Sequence, residues 1–115
     1  KVDHTLLKAD ATKADILRIC NEAMENNTAS ICINPCHIEY AVGILGDKIP
    51  VCTVIGYPLG AMTTAAKVFE AQHAISKGTK EVDMVINILL YHWLQIGSIV
   101  GYVLLGISLH SLLRR

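Results

Sequence analysis

Six polar residues interrupt apolar runs that are typical of strands, and these residues are the best placed in the sequence to do chemistry. A carboxylate buried in a sheet without a polar partner costs roughly several kcal/mol, so it implies a hydrogen-bond partner or a functional cavity. Asp83 is the clearest case because it lies between Val82 and Met84. Its carboxylate would suit general acid–base catalysis. The six residues are Asp3, Thr5, Asn34, Thr53, Asp83 and Asn87.

The lysines are poor candidates for a nucleophile. An amine attacks a carbonyl only when it is neutral, which near pH 7 requires burial or a neighbouring cation to lower its pKa from roughly 10.4. Lys13, Lys67 and Lys77 fall on the expected outer faces of helices, and Lys8 and Lys80 fall in links. Lysines at such positions are usually solvated charges. We therefore predict that none of them forms a Schiff base.

The four cysteines indicate a reducing, cytoplasmic setting and no metal site. Cys20, Cys32, Cys36 and Cys52 follow no signal peptide and lack the density of a disulfide-stapled domain. Cys32, Cys36 and the adjoining His37 are close in sequence, but no second pair of ligands at comparable spacing completes a zinc site. The sequence predicts free thiols that pack as small apolar side chains, with no metal and no cofactor.

Composition excludes several classes of protein. The chain has 115 residues, with ten basic and ten acidic side chains, and 52% of its residues are hydrophobic. A net charge of zero argues against a basic nucleic-acid-binding arm, an acidic tail and a disordered polar chain. The aromatic share is only 5%, so Ile, Val, Leu and Ala must fill the core. A small aliphatic α/β domain that does not bind nucleic acid fits best.

Apolar runs alternate with helical patterns between residues 2 and 87. Thr12 and Asp15 have the spacing of a capping box at the start of a helix over about 13–25. A third helix is expected to begin after Thr63 or Thr64, and to face the core with Val68, Ala71 or Gln72, and Ile75. A second helix is predicted over 37–45, and strands are predicted at 2–6, 29–34, 51–55 and 81–87.

Strands that are apolar on both faces and alternate with amphipathic helices predict a parallel sheet with right-handed crossovers. An open doubly wound sheet and part of a (β/α)₈ barrel both have this order. No G-x-G-x-x-G and no G-x-x-x-x-G-K occurs, so a nucleotide-binding sheet would lack its site. In a barrel the strand carboxyl ends carry the chemistry, which accounts for the polar residues. We predict an α/β fold, the first half of a TIM (β/α)₈ barrel with four parallel strands and three helices.

Four segments together resemble deoxyribose-phosphate aldolase in their order and spacing. They are DHTLLK at 3–8, SICINP at 30–35, VCTVIGYPLG at 51–60 and EVDMVIN at 81–87. The resemblance covers residues 2–88, which correspond to the first four strands of that family's barrel. It implies a class I aldolase, a carbon–carbon lyase that cleaves 2-deoxyribose 5-phosphate to glyceraldehyde 3-phosphate and acetaldehyde through a lysine Schiff base.

The resemblance also implies roles for four residues. Asp83 matches the family's catalytic aspartate, which shuttles a proton together with lysines and water. Asp3 and Thr5 match a pair on the first strand that faces the same cavity, and Cys32 matches a position near the aldehyde site. A structural or packing role is the alternative for all four residues. The Schiff-base lysine, its neighbouring lysine and the phosphate-binding loops of the family lie on later strands and have no counterpart here. The resemblance thus implies a chain that is inactive alone.

The end of the sequence differs in kind from the rest. No Asp, Glu, Lys or Arg occurs from Ile88 to Leu113, and a helix of that length would reach roughly 39 Å, more than the roughly 30 Å apolar core of a bilayer. Arg114 and Arg115 would prefer the cytoplasmic side and place the acidic, cysteine-bearing part outside, so a truncated or frame-altered end is favoured over an anchor. We expect an aldolase-like partial barrel over 1–88 and a helical apolar tail over 89–115.

Three functional hypotheses follow from these patterns. The first, which carries the sequence evidence, is an aldolase-family chain whose full-length relatives act on a small phosphorylated sugar. The others are an interaction module tethered to a membrane through 89–113, and a half-barrel that assembles with a second chain. A half-barrel leaves its first and fourth strands with open edges, which predicts self-association.

Overall fold

A computed structural model describes residues 3–87 as a sheet of four parallel strands connected by three helices. The predicted order of elements is confirmed. The strands are β1 (Asp3–Leu6), β2 (Ser30–Ile33), β3 (Val51–Ile55) and β4 (Glu81–Met84). The helices are α1 (Lys13–Asn26), α2 (Ile38–Leu45) and α3 (Thr64–Ser76), and a short 3₁₀ turn, Pro35–His37, precedes α2.

The strands lie in chain order, β1-β2-β3-β4, and every neighbouring pair is parallel. Each connection carries one helix, so the chain is a run of consecutive βαβ units. This confirms the predicted fold class, the first half of a (β/α)₈ barrel. The register places Thr5 beside Cys32, Cys32 beside Cys52, and Val54 beside Asp83.

The capping box predicted for α1 is present. The Thr12 backbone N–H donates to Asp15 Oδ2 at 2.9 Å, and the Asp15 backbone N–H donates to Thr12 Oγ1 at 3.2 Å. These bonds satisfy donors that the first helical turn otherwise leaves open. The helix ends at Asn26 and is capped by Asn27, which takes a left-handed conformation with φ of 48°. Local sequence chemistry therefore explains both ends of α1.

The apolar core lies between the sheet and the helices. One cluster packs Ile31, Ile33 and Val51 of the sheet against α1 and α2, with Ile16 and Leu45 among its helical members. A second packs Ile55, Val82 and Met84 against α3 through Ala71 and Ala74. Successive strand residues point to opposite faces, so these side chains define the helix-facing side of the sheet.

The core face predicted for α3 is confirmed at Val68 and Ala71, which belong to or pack against the second cluster, and is wrong at Ile75. The buried residues of this helix are Lys67, Ala71 and Ala74, whereas Ile75 is 37% exposed and Gln72 is also exposed. Successive residues of an α-helix are about 100° apart around its axis, so shifting the predicted pattern by one residue turns the buried face by that angle. This rotation places Lys67 inside, so its predicted position on a helix exterior is also wrong.

Two further differences concern boundaries. The fourth strand ends at Met84 rather than at Asn87, although the Val85 N–H still donates to Ile55 O at 2.9 Å. Residues 88–115 lie outside the described residues, together with the predicted tail helix and the domain boundary at 88–89. Within residues 3–87, no helix has both the length and the apolar character needed to cross a bilayer.

Candidate active site

The sheet face opposite the helices carries some of the residues that the sequence singled out. Cys32, Cys52 and Val54 form a separate buried cluster on this face, with Leu7 packed against it. Asp83 lies between the helix-facing residues Val82 and Met84, so its side chain is on the cluster's side. We call this surface the inner face, because it corresponds to the interior of a barrel.

Asp83 is close to two thiols on the inner face. One carboxylate oxygen of Asp83 and the sulfur atoms of Cys32 and Cys52 all lie within 4.8 Å of one another. All three residues are buried, with exposed fractions of 6%, 3% and 0% in that order. Cys52 lies 20 positions after Cys32 and Asp83 a further 31 positions on, so parallel strand pairing alone brings them together.

The thiol of Cys52 is held in its neutral form. Its hydrogen bond with the Cys32 side chain, followed by burial and the negative charges of Cys32, Asp83 and Glu81, raises the pKa of Cys52 far above its ordinary value. A protonated thiol is a weak nucleophile. The group on this face best suited to proton transfer is therefore the Asp83 carboxylate.

Asp3 and Thr5 lie on the same face at the first strand. Thr5 is paired in register with Cys32, and Asp3 with Ser30, so these side chains share the inner face. The Ser30 hydroxyl donates to Asp3 Oδ1 at 2.7 Å, which supplies the polar partner expected for that carboxylate. Thr5 is exposed. The four predicted site residues thus converge on one surface, whereas their catalytic and binding roles remain predictions.

Two of the other polar strand residues have structural hydrogen bonds. Thr53 points toward the helix-facing side, where its hydroxyl donates to Ile33 O at 2.8 Å. The Asn34 side-chain amide donates to Leu7 O at 3.2 Å and joins the loops that follow β1 and β2. Beside these loops, at the carboxyl edge of the sheet, is a cleft of about 480 Å³ lined by Leu7, Ala9, Asn34, Cys36, Tyr57 and Pro58.

Lys67 is a buried charge that the sequence analysis missed. It is 0% exposed, and its Nζ has no hydrogen-bond partner among the described residues. Burial lowers the pKa of Lys67 below its ordinary value. Its Cε lies 3.3 Å from the point where a Cβ on Gly56 would stand, so the side chain reaches the end of β3 from the helix side. The spacing of Lys67, Ala71 and Ala74 was the signal, because i, i+4 and i+7 lie on one helical face.

The loop that Lys67 reaches is tied to α3. The Gly56 N–H donates to Glu70 Oε1 at 2.8 Å, and the Gly60 N–H donates to Gly56 O at 2.7 Å. None of the strands β1 to β4 carries a lysine. The described residues therefore provide a proton-transfer group on the inner face and one desolvated amine that approaches from the opposite side.

Curated relatives of this chain are named deoxyribose-phosphate aldolase. The chain is 58% identical over 88 residues to the protein from Thermoanaerobacter sp. strain X514, an alignment that covers 76% of this chain and 40% of the relative. It is 57% identical over 88 residues to a protein of the same name from Clostridium perfringens, with 76% and 39% covered. The chain thus spans about 40% of the length of the curated relatives it matches. No protein-family model matches it.

Solved structures give the same result for the fold. A tetrameric deoxyribose phosphate aldolase from Aeropyrum pernix superposes with a TM-score of 0.84 at 28% identity, covering 90% of this chain and 45% of that one. A protein from Coccidioides immitis, described as a putative deoxyribose-phosphate aldolase, has a TM-score of 0.80 at 36% identity and covers 90% and 43%. The resemblance stated from four sequence segments is confirmed.

Proposed function

Because the chain belongs to the deoxyribose-phosphate aldolase family over the 88 residues that it shares with these relatives, we propose that this segment serves the cleavage of 2-deoxyribose 5-phosphate. It supplies the proton-transfer side of the site. Asp83 carries a proton during formation and breakdown of the carbinolamine and the enamine, and the Schiff-base lysine comes from strands that follow β4 in the family. Asp3, Thr5 and Cys32 bind the substrate or shape the cavity that holds its aldehyde.

The observation that carries this proposal is the position of Asp83. A buried carboxylate between Val82 and Met84 does not help to pack an apolar core, and its neighbours on the inner face are the thiols of β2 and β3. The inner face is also the surface on which a barrel gathers side chains from several strands. Proton transfer at this point requires no metal and no cofactor.

A chimera tests whether these residues are competent for the reaction. The 88 aligned residues of the Thermoanaerobacter relative are replaced by those of this chain, and acetaldehyde release from 2-deoxyribose 5-phosphate is measured. We expect turnover in the chimera. Asp83→Asn removes the proton carrier while keeping the size of the side chain, and we expect it to lower turnover by roughly 10²–10⁴-fold.

Asp47→Asn is the matched control, because Asp47 is exposed beyond α2, on the opposite edge of the sheet from the loops that follow β1 and β2. It should leave turnover unchanged. A chimera that turns over equally well with Asp83→Asn would reject the proposed role of Asp83. A chimera that folds but stays inactive with every side chain of this segment intact would reject the proposed function.

The 115-residue chain by itself should show no retro-aldol turnover, because without an imine the breaking carbon–carbon bond has no electron sink. General acid–base help is worth roughly 10²–10⁴-fold, against the roughly 10⁶-fold or more that enzymes provide. Borohydride added with substrate would trap any imine as a mass increase on one lysine. A stoichiometric adduct on Lys67, with turnover that Asp83→Asn abolishes, would contradict this expectation.

The four cysteines support a cytoplasmic location for this function. Cys20, Cys32, Cys36 and Cys52 are all free thiols, and such thiols persist in a reducing compartment. The phosphorylated sugar that we propose as substrate would be met in the same compartment. Fractionation of the native cells, with the chain detected by antibody in the cytosolic fraction, tests this proposal, and recovery in the membrane fraction would contradict it.

A further inference from the structure

We propose that Cys32, Cys52 and Asp83 form a binding site for a single thiophilic divalent cation, of which zinc and cadmium suit the ligand set. The inference rests on geometry and donor chemistry alone. An ion held there would occupy the Asp83 carboxylate that the proposed function uses as its proton carrier, so the ion-bound chain is a separate state from the one that transfers protons. The test measures metal binding rather than activity.

The three ligand atoms are already close to the spacing that a metal requires. In a tetrahedral zinc site, bonds of roughly 2.3 Å to sulfur and 2.0–2.2 Å to oxygen place neighbouring ligand atoms roughly 3.5–4 Å apart. The sulfur atoms of Cys32 and Cys52 and one oxygen of Asp83 lie within 4.8 Å of one another. Side-chain movements of about 1 Å therefore close the site around an ion.

The backbone holds these positions without the ion. Cys32, Cys52 and Asp83 belong to three successive strands, and β2, β3 and β4 are joined by parallel pairing in a continuous register. Cys32 is the direct register partner of Cys52, and Asp83 is paired with Val54, two residues further along β3. A site built on paired strands keeps its geometry better than one built on loops.

The donor set selects the kind of metal. Two thiolates favour soft or borderline ions over magnesium and calcium, which prefer sets of oxygen ligands. On binding, the thiols of Cys32 and Cys52 each release a proton, and the two thiolates with the Asp83 carboxylate place three negative charges around two positive ones. Three protein ligands leave the fourth tetrahedral position open to water.

Burial strengthens such a site. Cys52 is fully buried, and a buried thiolate without a partner is costly. A bound cation would neutralise that charge. Cys32 and Asp83 are nearly as deeply buried, with exposed fractions of 3% and 6%. Cys36, the cysteine nearest to Cys32 in sequence, is exposed outside this cluster.

Cadmium titration of the reduced, full 115-residue chain tests the proposal through thiolate-to-cadmium charge-transfer absorption. We expect one equivalent to bind. Cys32→Ser and Cys52→Ser should each weaken binding by at least about tenfold, and Asp83→Asn should weaken it as well. Cys36→Ser and Cys20→Ser are the matched controls: Cys36 is exposed, and Cys20 is buried in the cluster on the helix-facing side. Both controls should bind as the parent does.

Cadmium-113 magnetic resonance of the unsubstituted chain gives a second measurement that no folding defect of a variant can confuse. The expected chemical shift is that of a site with two sulfur ligands and oxygen ligands. A shift typical of four sulfur ligands, or of oxygen ligands alone, would overturn the proposal. Undiminished affinity in the Cys32→Ser, Cys52→Ser double variant would overturn it too, as would loss of binding in Cys36→Ser.

Discussion

At the scale of single residues, the sheet separates two buried charged groups. Asp83 lies on the inner face among Cys32 and Cys52, whereas Lys67 approaches the end of β3 from the helix side. The carboxylate has a chemical role in our proposals, but the amine has none, and its burial is a cost to the folded state. Removing the amine should therefore affect stability rather than chemistry.

Lys67→Met should leave the free energy of unfolding unchanged or raise it by up to about 4 kcal/mol near pH 7, because an apolar side chain of similar length replaces a buried, unpartnered ammonium. Urea unfolding followed by circular dichroism measures the change. Lys77→Met is the control, since Lys77 is partly exposed and its Nζ lies 3.5 Å from Glu39 Oε1. Marked destabilisation by Lys67→Met would show that the amine has a partner of its own.

The same substitution should change the pH dependence of stability. Burial lowers the pKa of Lys67 in the folded state, so between that value and the ordinary value of 10.5 the unfolded chain binds more protons. Stability of the parent therefore rises with pH across this window and levels off above 10.5. The advantage of Lys67→Met over the parent should shrink as pH rises through the window, and an advantage that grows instead would contradict the assignment.

At the scale of elements, α1 depends on its capping box. Thr12→Ala removes the acceptor for the Asp15 N–H and should lower the free energy of unfolding by about 1 kcal/mol. Thr12→Ser keeps a hydroxyl acceptor and should retain most of the stability of the parent. Thermal unfolding of the two variants provides the comparison. Equal stability of Thr12→Ala and the parent would mean that tertiary contacts alone hold the first turn.

The loop between β3 and α3 depends on a glycine. Gly60 has a φ of 70°, and a Cβ there would lie 2.7 Å from Val85 Cγ1 and from Ile86 O. Gly60→Ala should therefore destabilise the chain by roughly 1–3 kcal/mol. Gly43→Ala is the control, because Gly43 is in α2 with nothing within 4 Å of its added Cβ, and alanine favours helix by about 1 kcal/mol. Chemical unfolding should show a lower free energy of unfolding for Gly60→Ala and a higher one for Gly43→Ala.

At the scale of the whole molecule, the described sheet has two edges. Among residues 3–87, β1 is paired only with β2, and β4 only with β3. Unpaired strand edges recruit other strands, so we expect the chain to self-associate at micromolar concentration. Sedimentation velocity over a dilution series should show species that dissociate on dilution. A compact monomer throughout the series would contradict this prediction.

The sequence by itself determined the order of the elements, the capping box of α1, the loop after β3, the parallel fold class and the family. These features follow from local chemistry: periodicity, β-branched runs, side-chain caps and glycine conformations act over a few residues. Asp3, Thr5 and Asp83 were identifiable as polar residues that interrupt apolar strands, whereas Cys32 was identified as a site residue only through the resemblance. The roles of all four stay predictions.

Only the tertiary structure decided which side chains from different strands and helices are neighbours. The sequence drew attention to Cys32 and Cys36 because they are neighbours along the chain, but strand register instead places Cys32 beside Cys52 and both beside Asp83. Likewise, the rotation of α3 against the sheet buries Lys67 and exposes Ile75. Register and helix rotation are set by packing between residues distant in sequence, so no local pattern specifies them.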